Sequence, residues 1–101
     1  MKIRILEAAR LDLVNGYRFY EQREPGLGSY FLDSLYADIE SLALYAGVHP
    51  PAIRDARRLL SRRFPYAVYY RLQGDLVTVV GVFHGRRSPG VVTRTIAKRA
   101  R

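Results

Sequence analysis

The sequence predicts an α+β fold of two layers, β-α-α-β-β-β in chain order, with an antiparallel helical hairpin packed on one face of a small, mainly antiparallel sheet. Three observations carry this. Two aromatic and β-branched runs, Tyr66 to Leu72 and Leu76 to Phe83, flank Gln73-Gly74-Asp75, and glycine supplies the positive φ that a tight hairpin turn needs. Two stretches with helical apolar spacing precede them, separated by the break Glu24-Pro25-Gly26-Leu27-Gly28. The 101 residues, 49% hydrophobic and 26% charged, suffice for one buried core and not for two.

Taken in order, Lys2 to Leu6 alternates around Ile3 and Ile5 and reads as a short strand. Ala8 to Arg23 reads as a helix, because Ala9, Leu13, Gly16 and Tyr20 recur at a spacing of four. Glycine inside a helix costs about 1 kcal/mol against alanine, so Gly16 implies close packing on a neighbour. Ser29 is the expected N-cap of a second helix that runs to about Ala46, burying Phe31, Leu35, Ile39 and Leu42. Gly47 and His49-Pro50-Pro51 end it. The carboxylates Asp12, Glu21, Asp33, Asp38 and Glu40 are expected on solvated helix faces. Ala56 to Ser61 is expected to be a strand, despite its arginines, and leads through Arg62-Arg63-Phe64-Pro65 into the hairpin.

Within the hairpin a two-residue Gly74-Asp75 turn sets Leu72, Tyr70, Val68 and Tyr66 opposite Val77, Val79, Gly81 and Phe83. That apolar set is expected beneath the helices. The other face, with Arg71, Thr78, Tyr69, Val80, Ala67, Val82 and His84, is expected to be open. Residues 1–89 make the expected domain; after Ser88-Pro89-Gly90, residues 90–101 form a basic tail whose conformation, whether strand, helix or disorder, the pattern leaves open.

Charge is strongly divided. Residues 1–50 carry five Lys/Arg against seven Asp/Glu and residues 51–101 twelve against two, so the net +8 splits as −2 and +10. The basic half suits a polyanion or an acidic protein, or merely solvates the surface. No cysteine is present, which excludes disulfides and cysteine zinc sites. Two histidines far apart give no metal site, and no cofactor motif is found. No apolar run reaches membrane-spanning length and the N-terminus lacks a signal-peptide core, so a cytoplasmic protein is expected.

The segments Tyr20-Glu21, Pro25-Gly26-Leu27-Gly28, Phe31-Leu32, Arg63-Phe64-Pro65-Tyr66-Ala67-Val68-Tyr69-Tyr70-Arg71 and Val82-Phe83-His84-Gly85-Arg86-Arg87-Ser88-Pro89 occur in an order and spacing that resembles the RelE/ParE superfamily of toxins from bacterial type II toxin–antitoxin modules. The likeness covers roughly residues 1–89. It implies a toxin that halts growth, as in plasmid stabilisation, unless held by a co-expressed acidic antitoxin. RelE-like members cut ribosome-bound messenger RNA, whereas ParE-like members poison DNA gyrase. Where the RelE pattern has an arginine in the third strand this chain has Ala67, and its late tyrosine falls at Val92; its arginine after the fourth strand is matched by Arg86. The resemblance therefore favours ParE-like action on gyrase.

Two alternatives stand beside that reading. In one the chain is a ribosome-dependent, metal-independent endoribonuclease. His84 would then serve as the titrating group, with Arg86 and Arg63 stabilising phosphorane charge. In the other it is a non-toxic relative that still binds antitoxin. The plainer reading of His84 is that it ends its strand and bonds locally. Arg57, Arg58, Arg62, Arg63, Tyr69, Arg71, Arg86 and Arg87 are the expected contacts to antitoxin or nucleic acid. Tyr66 and Tyr70 are expected in the core. Oligomeric state is not legible.

Overall fold

The computed structural model describes residues 1–99. Five strands form one sheet in the order β1-β5-β4-β3-β2. β1 (Lys2–Ile5) runs parallel to β5 (Leu76–His84), and β2 (Pro51–Ile53), β3 (Ala56–Leu60) and β4 (Tyr66–Gln73) complete the sheet with antiparallel pairings. The expected layout is present, with the unforeseen edge strand β2 added. A three-residue strand directly after Pro50-Pro51 can lie only at an edge, because proline donates nothing to a ladder.

The helical hairpin consists of α1 (Glu7–Glu21) and α2 (Leu27–Glu40). Ser29 is not the N-cap: α2 begins two residues earlier, after Gly26 with φ 90°. The cap comes instead from the end of α1. The Glu21 carboxylate accepts hydrogen bonds from the Gly26 N–H at 3.1 Å and the Gly28 N–H at 3.0 Å, placing negative charge where the free N–H groups of a helix start point. Glu21 is thus a fastener between the two helices. The second helix also stops short of Ala46. The Ser41 hydroxyl donates to the Asp38 carbonyl, and the chain continues as a short helix α3 (Leu42–Tyr45) and a 3₁₀ turn, Ala46–Val48.

Beneath this hairpin the core is rich in aromatic rings. Phe31 is fully buried, with ring centroids at 5.2 Å from Tyr20, 5.2 Å from Phe64 and 4.9 Å from Tyr66. Gly16 leaves the space into which Phe31 fits: a Cβ there would stand 2.5 Å from the Phe31 ring. Asp38 is buried as well, accepting from the Ser61 hydroxyl at 2.8 Å and the Arg62 N–H at 3.3 Å. The expectation of a solvated Asp38 is therefore corrected; it tethers α2 to the end of β3.

The β4–β5 turn is as expected, with Gly74 at φ 58° and Gln73 opposite Leu76. The predicted register holds through Tyr70 and Val79, and then an extra residue intervenes: Tyr69 pairs with Gly81, Val68 with Val82, Ala67 with Phe83 and Tyr66 with His84. A bulge of one residue exchanges the faces of everything beyond it. Val82 consequently joins the core under the hairpin, while Phe83 joins Ala67 and Tyr69 on the second face.

That second face is not bare. Residues Pro89–Arg99 form α4, which lays Val92 and Ile96 over Tyr69, Val80 and Phe83. The question the sequence left open for the tail is answered by a helix; Ala100 and Arg101 lie outside the described residues. The far end of α4 is fastened by charge. Arg99 Nη1 and Nη2 donate to the Asp12 carboxylate at 2.5 and 3.2 Å, and Nη1 also donates to the Val80 carbonyl at 3.2 Å. Asp12 accepts the Val82 N–H at 3.0 Å too. β1 ends opposite Val79, so this ion pair takes over the backbone groups of β5 just past the bulge, where no strand continues the ladder. Asp12 is thus no solvated residue but a junction of α1, β5 and α4.

Candidate functional site

On the second face α4 covers only part of the sheet. Between it and the β2–β3 edge runs a groove of about 590 Å³. Its floor is apolar, built by Ala67, Tyr69 and Phe83, with Leu60 on one bank and Val92 on the other. Leu60 is 63% exposed, a large aliphatic side chain left open beside this floor. Arg58, paired with Tyr69 across β3 and β4, and Arg87, whose guanidinium lies 5.5 Å from the centre of the Phe83 ring, line the same groove. Hydrophobic floor and cationic rim together make the surface expected for an amphipathic, acidic peptide segment.

The residues singled out from the sequence are distributed unequally. Arg58 and Arg87 stand on the groove, and Tyr69 forms its floor while 7% exposed. Packed against Phe83 at 6.0 Å and beneath α4, it is a wall of the core and not an open stacking platform. Arg57 faces the other way, donating to the His49 carbonyl at 2.5 Å, where it anchors the segment after α3. Arg71 is ion-paired to Asp55 at 3.0 Å beside the β2–β3 turn. Arg62 and Arg86 are exposed in loops.

The proposed nuclease set is not drawn together by any contact among the described residues. The bulge turns His84 toward the hairpin side, 5.2 Å from the Tyr66 ring, and its Nδ1 accepts the Arg86 N–H at 3.0 Å. Arg63 donates instead to the Tyr30 hydroxyl at 2.9 Å on α2. The expectation that His84 shares a face with Tyr69 and Arg71 is corrected for the same reason: one extra residue in β5.

Burial raises the phenol pKa of Tyr20, Tyr66 and Tyr70; Arg87 partly offsets the effect at Tyr66 and Arg57 at Tyr70. Tyr70 also donates its hydroxyl to the Ala46 carbonyl at 2.5 Å. These are structural tyrosines that stay protonated at neutral pH.

The two-helix hairpin on one side of the sheet and the apolar, arginine-rimmed groove on the other define a small, basic, two-layer α+β protein with one half-covered sheet face. The coordinates superpose on a structure of the chromosomal ParDE toxin–antitoxin system from P. aeruginosa with a TM-score of 0.77 at 18% identity, over 83% of this chain and 95% of that one. Weaker likenesses are to the RelBE2 toxin–antitoxin complex from Mycobacterium tuberculosis (TM-score 0.48, 22% identity, 82% and 95% covered) and to a free-state mutant of the E. coli toxin RelE (TM-score 0.49, 16% identity, 97% and 95% covered). The family model described as ParE toxin of type II toxin-antitoxin system, parDE, matches residues 3–89. The chain belongs to the ParE toxin family. No curated protein matches it significantly. No helix among the described residues is long and apolar enough to cross a membrane.

Proposed function

We propose that this toxin arrests growth by interfering with DNA gyrase, and that an acidic antitoxin silences it by laying an amphipathic segment into the groove between α4 and β3. The observation that carries the reading is the groove itself. At the positions where the RNA-cleaving relatives are expected to carry an arginine and a tyrosine stand Ala67 and Val92, and both are buried parts of an apolar lining. A phosphorane needs cations and proton-transfer groups converging on one point; this floor offers hydrocarbon. Arg58 and Arg87 then act on the antitoxin, steering its carboxylates at a rate that falls with salt.

The test is induced expression with parallel readouts, followed by purified components. The expected result is growth arrest, loss of supercoiling or trapped cleaved DNA in a gyrase assay, and intact transcripts in a translation extract. Cleaved transcripts with normal gyrase activity would overturn the reading. Arrest should disappear when the acidic protein encoded beside the toxin is co-expressed, and return when Arg58→Glu and Arg87→Glu are introduced together.

A further inference from the structure

A second cleft, of about 300 Å³, opens on the hairpin side between α1 and the end of β5; it shares His84 and Arg87 with the groove, and apart from Arg87 no residue of it takes part in the proposed action. This volume lies at the lower end of small-molecule sites, roughly 300–1,000 Å³. Its lining is specific. Phe19, 44% exposed, and Tyr66 supply aromatic surface, and Asn15, His84 and Arg87 supply polar groups.

Each polar group has bonding capacity left. His84 accepts the Arg86 N–H on Nδ1, which leaves its proton on Nε2 as a donor. Asn15 is exposed, and its amide makes no hydrogen bond to the rest of the described chain. Arg87 lies along the Phe83 ring with no carboxylate partner among the described residues. The one acid in the lining, Asp12, is held by Arg99 and so does not repel an anion. Arg23 lies 4.2 Å over Phe19 and adds to the positive field. The Gly85 N–H donates to the Pro65 carbonyl at 2.7 Å, tying the loop of Arg62 and Arg63 to the loop of Arg86 and Arg87. Both loops carry exposed arginines: Arg86 and Arg87 in the second, of which Arg87 lines the cleft, and Arg62 and Arg63 in the first, which lie toward Tyr30 on α2.

We propose that this cleft binds one nucleoside monophosphate unit, with the base against Phe19 and Asn15 and the phosphate at Arg87. A ring face accepts any base by stacking, a carboxamide reads a base edge with a donor and an acceptor, and guanidinium is the matching group for phosphate. In a single strand, the neighbouring phosphates run onto Arg62, Arg63 and Arg86. A duplex keeps its bases stacked and cannot present one here. The site is independent of whether gyrase is the target, since it concerns the isolated chain.

The experiment is fluorescence anisotropy of a labelled eight-nucleotide single strand with the purified full chain, at several salt concentrations, with the same sequence as duplex and with adenosine monophosphate as competitor. The single strand is expected to bind more tightly than the duplex. Phe19→Ala should weaken binding by about 5- to 100-fold, as loss of one base–aromatic stack does, with Phe19→Tyr restoring it. Asn15→Ala should weaken it without altering the salt slope, whereas Arg62→Ala should lower the slope by about one. Displacement by the mononucleotide identifies a free nucleotide as an adequate ligand; its failure to displace identifies the strand. All four variants alter exposed side chains, and their melting curves check the fold. Binding that ignores Phe19→Ala and Asn15→Ala, or no binding at all, would overturn the proposal.

Discussion

The two faces of this one sheet are held by different physics. The hairpin face is closed by a continuous aromatic and aliphatic interior, in which Phe31, Leu13, Leu35 and Tyr70 are fully buried. Its few polar groups, Glu21 and Asp38, are spent on tying helices to one another and to the sheet. The second face has a shorter cover: one eleven-residue helix, two buried side chains on it, and an ion pair at its far end. Beside that helix a groove remains, with a closely packed apolar floor and Leu60 open on its bank. A dense face gives stability; a half-covered face leaves surface for a partner. The basic charge of the second half of the chain falls partly on that surface, through Arg58 and Arg87.

If this contrast is right, truncation should hurt far more on the first face. Phe31→Ala removes a ring wedged between Gly16 and three aromatics and should cost about 3–5 kcal/mol in a denaturant titration. A loss under about 1 kcal/mol would mean the hairpin core is looser than its packing indicates. Arg99→Ala should cost less, about 1–3 kcal/mol, because it leaves the Asp12 carboxylate without its cation and removes the side-chain donor from the Val80 carbonyl. It should also speed amide exchange in α4 while leaving α1 and α2 nearly unchanged. Equal acceleration in all helices would break the distinction between the faces.

The smallest effect is a pH dependence that belongs to the hairpin face. Tyr20, Tyr66 and Tyr70 hold their protons more tightly folded than unfolded. Their contribution is therefore complete below the unfolded phenol pKa of about 10 and is lost as pH rises through the higher folded values. Melting temperature should fall above that pH, together with a late tyrosinate absorbance. Tyr70→Phe should flatten part of the decline.

How far the sequence carries depends on the range of the interaction. The Gly74-Asp75 turn and the apolar faces of both helices are local patterns, and both were legible. The bulge was not: Val80 and Gly81 fit an uninterrupted strand, and only pairing with Tyr69 and Tyr70 reveals the extra residue. That single miscount put His84 and Phe83 on each other's faces. For α4 the signal was weak, since Val91, Val92, Thr93, Thr95 and Ile96 are β-branched and poor helix formers. Burial of Val92 and Ile96 against the sheet overrides that preference. Asp12 and Arg99 stand 87 residues apart, so no spacing rule connects them.

The most direct test of the working face is hydrogen exchange of the toxin with and without the proposed acidic antitoxin. Protection gained at residues 58–60, 67–69 and 87–93, with α1 and α2 unchanged, is the predicted result. Protection confined to the helical hairpin, with the groove exchanging as before, would contradict it.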